Sequence, residues 1–143
     1  TSDFRLENGE YWVRSFWEQD SRLSRSNQPI WKQSVAPHGV VLLAMRKEHP
    51  GCVQYLGSDI HISQGLEVKE WEVSEHEIRC VLDPERQAQG TVELFIPHHI
   101  TDAWLEREPV NWRVVEEDIY RFSCEIQKTS TLTIRYDQAN QAG

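Results

Sequence analysis

The chain has 143 residues, of which 38% are hydrophobic and 27% are charged. This composition excludes a disordered chain, and the length suits one ordinary domain but not a (β/α)₈ barrel, which needs about 250 residues. The net charge of −8 opposes binding to nucleic acids and to anionic membranes. No apolar run in the sequence is long enough for a transmembrane helix.

The first residues of the chain and its cysteines give indications about processing and cellular compartment. The chain begins at Thr1 and its only methionine is Met45, so we expect a processed chain or a fragment of a longer one. Charged side chains occur throughout the first 20 residues, which is not typical of a signal peptide. Three cysteines cannot form a full disulfide framework. We expect Cys80 and Cys124 to be buried free thiols, with one bridge plus a free thiol as the alternative. The compartment stays open, and the cytoplasm is slightly favoured.

In chain order, the first segment is rich in aromatic residues and ends in an apolar run. Residues 1–47 are predicted to form one β-unit, and residues 51–143 a second β-unit that packs on it in a single body. The stretch at 46–51 is polar and ends in Pro-Gly, which indicates a junction between them. Residues 40–45 are continuously apolar, which is typical of a central strand covered on both faces, with Leu43 inside it.

Farther along the chain, apolar and polar residues alternate with a period of two. The alternating segments are 78–82, 92–96, 120–126 and 132–136. Alternation places one face of an antiparallel sheet on a core and the other in water. A change of parity between Val68 and Trp71 predicts a β-bulge near residues 69–70, and residues 84–89 are the only helical candidate. Together with closely spaced Gly and Pro residues, this pattern predicts an all-β fold, an antiparallel β-sandwich of about ten to thirteen short strands with little or no helix.

The residue types that carry catalysis or bind metals are not grouped in the sequence. The six histidines are scattered, and the adjacent His98 and His99 would point to opposite faces of a strand. The sequence has no Gly-x-Ser-x-Gly turn and no Gly-rich phosphate loop. Most carboxylates occupy positions that are expected to face solvent. We therefore predict no catalytic residue, no metal site and no cofactor.

The tryptophans suggest a different kind of site. Six tryptophans are many for this length, and an aromatic face stacks well on a sugar ring. Trp71 and Trp112 are in register with apolar neighbours, which predicts that they belong to the core. Trp104 follows Asp102 in a proline-bounded segment and is therefore the candidate for an exposed, sugar-stacking residue.

Three motifs follow one another in an ordered series. They are GEYWVRSFW at residues 9–17, APHGVVLL at residues 36–43 and YLGSDIHISQG at residues 55–65. The series resembles the carboxy-terminal β region of α-galactosidase-like (melibiase-type) glycoside hydrolases, over about residues 9–97 and by pattern only beyond them. The resemblance implies a structural role for His38 and no catalytic role for Asp59. Enzymes of this family use two Asp residues at the ends of barrel strands, and no position in this chain matches those motifs.

The resemblance implies a non-catalytic carboxy-terminal β-sandwich domain that supports a catalytic barrel, and the partner is then the barrel of its own parent chain. A carbohydrate-binding module that uses exposed tryptophans is one alternative, with carbohydrate as its ligand. A protein-interaction β-sandwich is another. A complete small enzyme is the least favoured hypothesis. Neither nucleic acid nor a membrane is expected as a partner.

Overall fold

The structure is a computed structural model, and it describes residues 10–16, 20–24, 43–49, 51–61 and 63–137. These residues form strands and turns, and the predicted all-β class is confirmed. Among them there is no helix of the length and apolarity needed to cross a membrane. The strands are β1 (Tyr11–Ser15), β2 (Asp20–Ser24), β3 (Leu43–Lys47), β4 (Gln54–Ser58), β5 (Val68–Val73), β6 (Glu77–Leu82), β7 (Ala88–Phe95), β8 (His99–Leu105), β9 (Glu108–Pro109), β10 (Trp112–Glu116), β11 (Ile119–Ile126) and β12 (Ser130–Asp137).

The twelve strands form three antiparallel sheets. Sheet A has the order β2-β1-β3, sheet B the order β10-β11-β7-β4, and sheet C the order β5-β6-β12-β8-β9. The longest uninterrupted register joins β11 to β7, from Ile119 opposite Phe95 to Ile126 opposite Ala88. The predicted bulge in β5 is confirmed, because the register with β6 shifts between Val68 and Glu70.

Sheet B lies between the other two sheets. Successive side chains of a strand point to opposite faces, so Val92 and Leu94 of β7 join a large core with sheet C. The ring of Phe95, which points the other way, lies 5.3 Å from the ring of Trp12 in sheet A. Leu56 and Ile119 complete this second, smaller core between sheets A and B. Strand β7 is therefore covered on both faces.

The large core confirms the predicted alternation. Its buried members from the four alternating segments are Ile78, Cys80, Leu82, Val92, Leu94, Ile96, Phe122, Cys124, Ile126, Leu132, Ile134 and Tyr136. Tyr120 is only partly buried against the same core. The prediction of buried free thiols is also confirmed for Cys80 and Cys124, and Cys52 is free and exposed.

The prediction of a central strand at residues 40–45 is wrong for the part that the structure describes. Strand β3 begins at Leu43 and pairs with β1 at the edge of the described sheet A. Leu43 is 36% exposed, and Met45 is exposed as well. Alternate side chains of β3 point to opposite faces, and Ala44 and Arg46, rather than Leu43 and Met45, occupy the less exposed face. Residues 40–42 lie outside the described residues.

Two further predictions concern turns. The helical candidate at 84–89 forms no helix, because Glu85 has a positive φ of 64° and its amide donates to the Asp83 carboxylate at 2.8 Å. The predicted junction at 46–51 begins within β3. It continues into a turn in which the amide of Cys52 donates to the carbonyl of His49. The division into two β-units stays a prediction.

Candidate functional site

A buried arginine lies between sheets A and B. Arg14 is the fourth of the five residues of β1 and is 1% exposed. Its Nη1 donates to the carbonyl of Ser58 at 3.2 Å and to Oε1 of Gln64 at 2.5 Å. Its Nε lies 3.9 Å from Oε1 of Glu93. Burial lowers the pKa of Arg14, and the nearby Glu93 carboxylate opposes that effect.

The Glu93 carboxylate links four strands. Glu93 lies on β7 and is 1% exposed. Arg121 on β11 donates to Glu93 Oε2 from Nη2 at 2.9 Å and from Nε at 3.2 Å. Ser21 on β2 donates its hydroxyl to Oε1, the oxygen that also faces Arg14 on β1. One carboxylate is thus shared by two guanidinium groups, which is the arrangement expected of a buried charge that must be compensated.

A glycine lets Arg14 reach this position. Gly57 has a φ of 153°, and a Cβ atom there would lie 2.7 Å from Cδ of Arg14 and 3.2 Å from Cβ of Gln64. The close approach therefore favours glycine. Gly57, Ser58 and Gln64 belong to the third sequence motif and Arg14 to the first, so the structure brings two of the three motifs together. The second motif lies almost wholly outside the described residues, and its His38 is among those not described.

A second buried carboxylate lies close by. Glu67 is fully buried, and both Tyr55 and Ser58 donate their hydroxyl groups to its Oε1 at 2.5 Å. Burial raises the pKa of Tyr55 well above its usual value, and the charge of Glu67 adds to the increase. Tyr55 is therefore a fixed hydrogen-bond donor at neutral pH. Asp59 is likewise occupied, since its Oδ1 accepts the backbone amide of Thr91 at 2.6 Å.

Next to these groups, a cleft opens between β3, β4 and β5. It has a volume of about 500 Å³ and is lined by Arg46, Lys47, His49, Val53, Gln54, Tyr55, Gly65, Val68 and Trp71. The guanidinium of Arg46 lies 5.7 Å from the ring centroid of Tyr55 and donates to the carbonyl of Leu56 at 2.7 Å. It also donates to the carbonyl of Gln64. We refer to these nine lining residues as the β3–β5 cleft.

The chemistry available to the two buried carboxylates is limited. Glu93 already accepts from Arg121 and Ser21, Glu67 accepts from Tyr55 and Ser58, and both are closed to solvent. A general acid or base must reach a substrate proton at hydrogen-bond distance. The hydrogen bonds described for both carboxylates are to other residues of the fold, and Oε2 of Glu67 has no partner among the described residues. In the part of the chain that is described, no three His, Cys, Asp or Glu side chains are close enough to hold a metal ion.

The exposure of two tryptophans differs from the prediction. Trp112 was expected in the core, but it lies on β10 at the edge of sheet B and is 38% exposed. Trp71 is half-buried and packs against the large core, as predicted, and its remaining surface lines the cleft. Trp104 was expected to be exposed, but it is half-buried, with the guanidinium of Arg135 at 5.1 Å from its ring centroid. Sugar stacking on Trp104 stays a prediction.

The sequence did not lead us to predict that Glu67 and Glu93 are buried, or that a cleft opens between β3, β4 and β5. The alternation around Glu93 predicts a solvent-facing side chain, because a period of two shows that a strand has two faces but not what covers each face. The weak signal that existed was Arg14, a charged residue within the apolar stretch of residues 11–17. A charge at such a position requires a buried partner.

Comparison of the chain with protein-family models, with curated proteins and with solved structures found no match. The resemblance to α-galactosidase-like enzymes therefore rests on the sequence motifs and stays a prediction.

Proposed function

We propose that this chain is a non-catalytic β-sandwich domain of the type found at the carboxy end of α-galactosidase-like glycoside hydrolases. Its role is to support a catalytic barrel that belongs to the same parent polypeptide. The proposal rests on the sequence motifs. It is supported by the fold, in which residues of two of these motifs make structural contacts. Arg14, Gly57, Ser58 and Gln64 join sheets A and B through buried contacts. They offer no reactive group to a substrate.

A second observation supports a role in packing against another body. All five residues of β10 are exposed, and this strand forms one edge of sheet B. Three of them are large and apolar, with exposures of 38% for Trp112, 60% for Val114 and 40% for Val115. An exposed apolar edge strand is both an aggregation hazard and a typical interface in proteins. We assign this edge to the contact with the barrel. The same observation favours the protein-interaction sandwich as the second candidate function.

The first test separates a structural domain from an enzyme. The purified chain is incubated with a chromogenic α-galactoside, and we expect no turnover above that of a heat-denatured sample. The coding sequence on the amino-terminal side of Thr1 is determined in parallel. A barrel there with Asp residues at its strand ends supports the proposal, and a coding sequence without such a barrel contradicts it. Turnover that co-purifies with the folded chain contradicts it as well.

The second test examines β10 in the complete parent polypeptide. Val114→Lys places a charge in the proposed contact and is expected to lower the thermal stability of the barrel by several degrees. Val73→Lys is the matched control, since Val73 is a valine on β5 at the edge of sheet C and is 45% exposed. Equal effects of the two substitutions would show that β10 has no special contact with the barrel.

A further inference from the structure

Strand β10 leaves one side of its backbone open. It pairs with β11 on one side, and no described strand lies on its other side. All five of its residues are exposed, and three of them are large and apolar. Unpaired amides and carbonyls along an exposed edge are a template for pairing with a further strand. The edge of sheet B can therefore accept one more strand.

A bulge in β10 places two opposite charges on one face of the sheet. Arg113 stands opposite Arg121 of the buried charge network, which faces sheet A. The register then shifts by one residue, so that Glu116 stands opposite Ile119, a member of the small core between sheets A and B. Directly opposite residues of an antiparallel pair share a face. Arg113 and Glu116 therefore both point to the side of sheet A, although a spacing of three in a regular strand would put them on opposite faces.

This arrangement makes β10 complementary to a second copy of itself. When two β10 strands run antiparallel about a two-fold axis between Val114 and Val115, Arg113 of each copy faces Glu116 of the other. Opposite charges directly across two strands stabilise the pair, and the valines at the centre bury apolar surface. The incoming Glu116 also compensates Arg113, which within one copy stands opposite the like charge of Arg121.

Strand β5, at the edge of sheet C, does not have this property. It carries Glu70 and Glu72 on one face, opposite Val81 and Arg79 of β6. Two copies of β5 paired antiparallel about Trp71 would set Glu70 of each copy opposite Glu72 of the other. Like charges directly opposite are destabilising, and such charges protect an edge from self-pairing. The contrast favours β10 as the edge that pairs with its own copy.

We propose that the isolated chain forms a two-fold symmetric dimer through β10, in which the four-stranded sheets B of the two copies join into one continuous sheet. The contact uses the open side of β10 in both copies, so it closes at two chains. The proposal does not rest on the supporting role beside a barrel. A barrel that covers β10 and a second copy exclude each other, so the test uses the chain without a barrel.

The first measurement is sedimentation velocity of the purified chain over a range of concentrations. Edge pairing buries little surface, so we expect a monomer–dimer equilibrium with a Kd of about 10–100 µM. In the dimer, hydrogen exchange should slow at the amides of residues 112–116 as the concentration rises. A chain that stays monomeric at about 500 µM overturns the proposal. Growth into species larger than a dimer overturns it as well.

Charge reversal tests the register. Arg113→Glu and Glu116→Arg each set like charges opposite each other in both pairs, and each is expected to weaken dimerisation at least about tenfold. If net charge alone governed association, the two changes would act in opposite directions, because the first makes the net charge of −8 more negative and the second makes it less so. Arg86→Glu, at an exposed position outside β10, is the matched control and should leave the Kd within about twofold.

Mixing the two variants restores the complementarity. In a dimer of one Arg113→Glu chain with one Glu116→Arg chain, both pairs again join opposite charges. We therefore expect a heterodimer of at least wild-type affinity from two chains that dimerise weakly alone. Each variant is first checked for an unchanged urea midpoint, as expected at exposed positions, and if either shifts it, the exchange of residues 112–116 in the wild type decides. Single variants that dimerise as tightly as the wild type, or a mixture that stays monomeric, would overturn the proposal.

Discussion

The shared carboxylate of Glu93 leads to a prediction about which partner of the buried network matters most. Glu93→Gln keeps the size of the side chain and an oxygen for the Ser21 hydroxyl, but it removes the negative charge between two guanidinium groups. Arg14 is 1% exposed and would then have no carboxylate in direct contact. Arg14→Met is the opposite perturbation, since it leaves Glu93 paired with Arg121 through two hydrogen bonds.

The magnitudes follow from this asymmetry. Removing one partner of a buried ion pair costs about 3–5 kcal/mol, because the other charge stays buried without compensation. We expect Glu93→Gln to reach this range. Arg14→Met should cost about 1–3 kcal/mol, because it loses the hydrogen bonds to Ser58 and Gln64 but leaves a compensated carboxylate. Asp59 also acts electrostatically on Arg14, which holds the cost of Glu93→Gln below that of a fully isolated charge.

The assay is urea unfolding of the wild type, the two single variants and the double variant, with the slopes compared to check for two-state behaviour. Glu125→Gln on the exposed face of β11 is the matched control, with an expected change within about 0.5 kcal/mol. The double variant should be less destabilised than the sum of the single variants by about 1–3 kcal/mol. The reasoning is refuted if Glu93→Gln costs less than Arg14→Met, or if the two costs simply add.

Three further outcomes test the burial pattern. Burial raises the pKa of Cys80 and of Cys124 to about 12, whereas an unfolded thiol ionises at about 8.5. The unfolded state therefore loses protons first. The contribution of these two thiols to the free energy of unfolding is expected to be constant below about pH 8 and to fall between about pH 9 and 12, as urea titrations across that range would measure. In the native protein, maleimide should modify the exposed Cys52 alone, and mass spectrometry showing a second label would contradict the packing. Ile134→Ala, in the fully buried core, should cost about 2–5 kcal/mol, and Leu43→Ala about 1 kcal/mol or less; similar urea midpoints for the two would be inconsistent with the edge position of β3.

The fold class, and the residues that face the core on most strands, could be predicted from the sequence. Alternation at residues 78–82 and 132–136 follows from the geometry of a strand, whose side chains point to opposite faces in turn. The core positions of Ile78, Leu82 and Ile134 could therefore be predicted from the residues alone. The bulge near residues 69–70 could be predicted for the same reason, because it changes the parity of the pattern.

The third layer could not be predicted from the sequence. Sheet A covers the outer face of β7, so Glu93 is buried at a position whose alternation alone predicts exposure. Trp112 shows the converse, because its apolar neighbours suggest a core position while the edge location of β10 exposes it. Whether a face is covered depends on contacts between residues far apart in the chain, such as Arg14 and Ser58, and no local period encodes them.

The candidate sites divide in the same way. The first and third motifs contain Arg14, Gly57 and Gln64. Only the tertiary structure shows that the arginine side chain passes the glycine to reach the glutamine. The β3–β5 cleft had no signal in the sequence, since Arg46 and Trp71 are 25 positions apart and lie in different sheets. The residue pattern determined the strands and their inward faces. The stacking of three sheets decided which charges are buried and where a cleft opens, because burial is a property of the assembled layers.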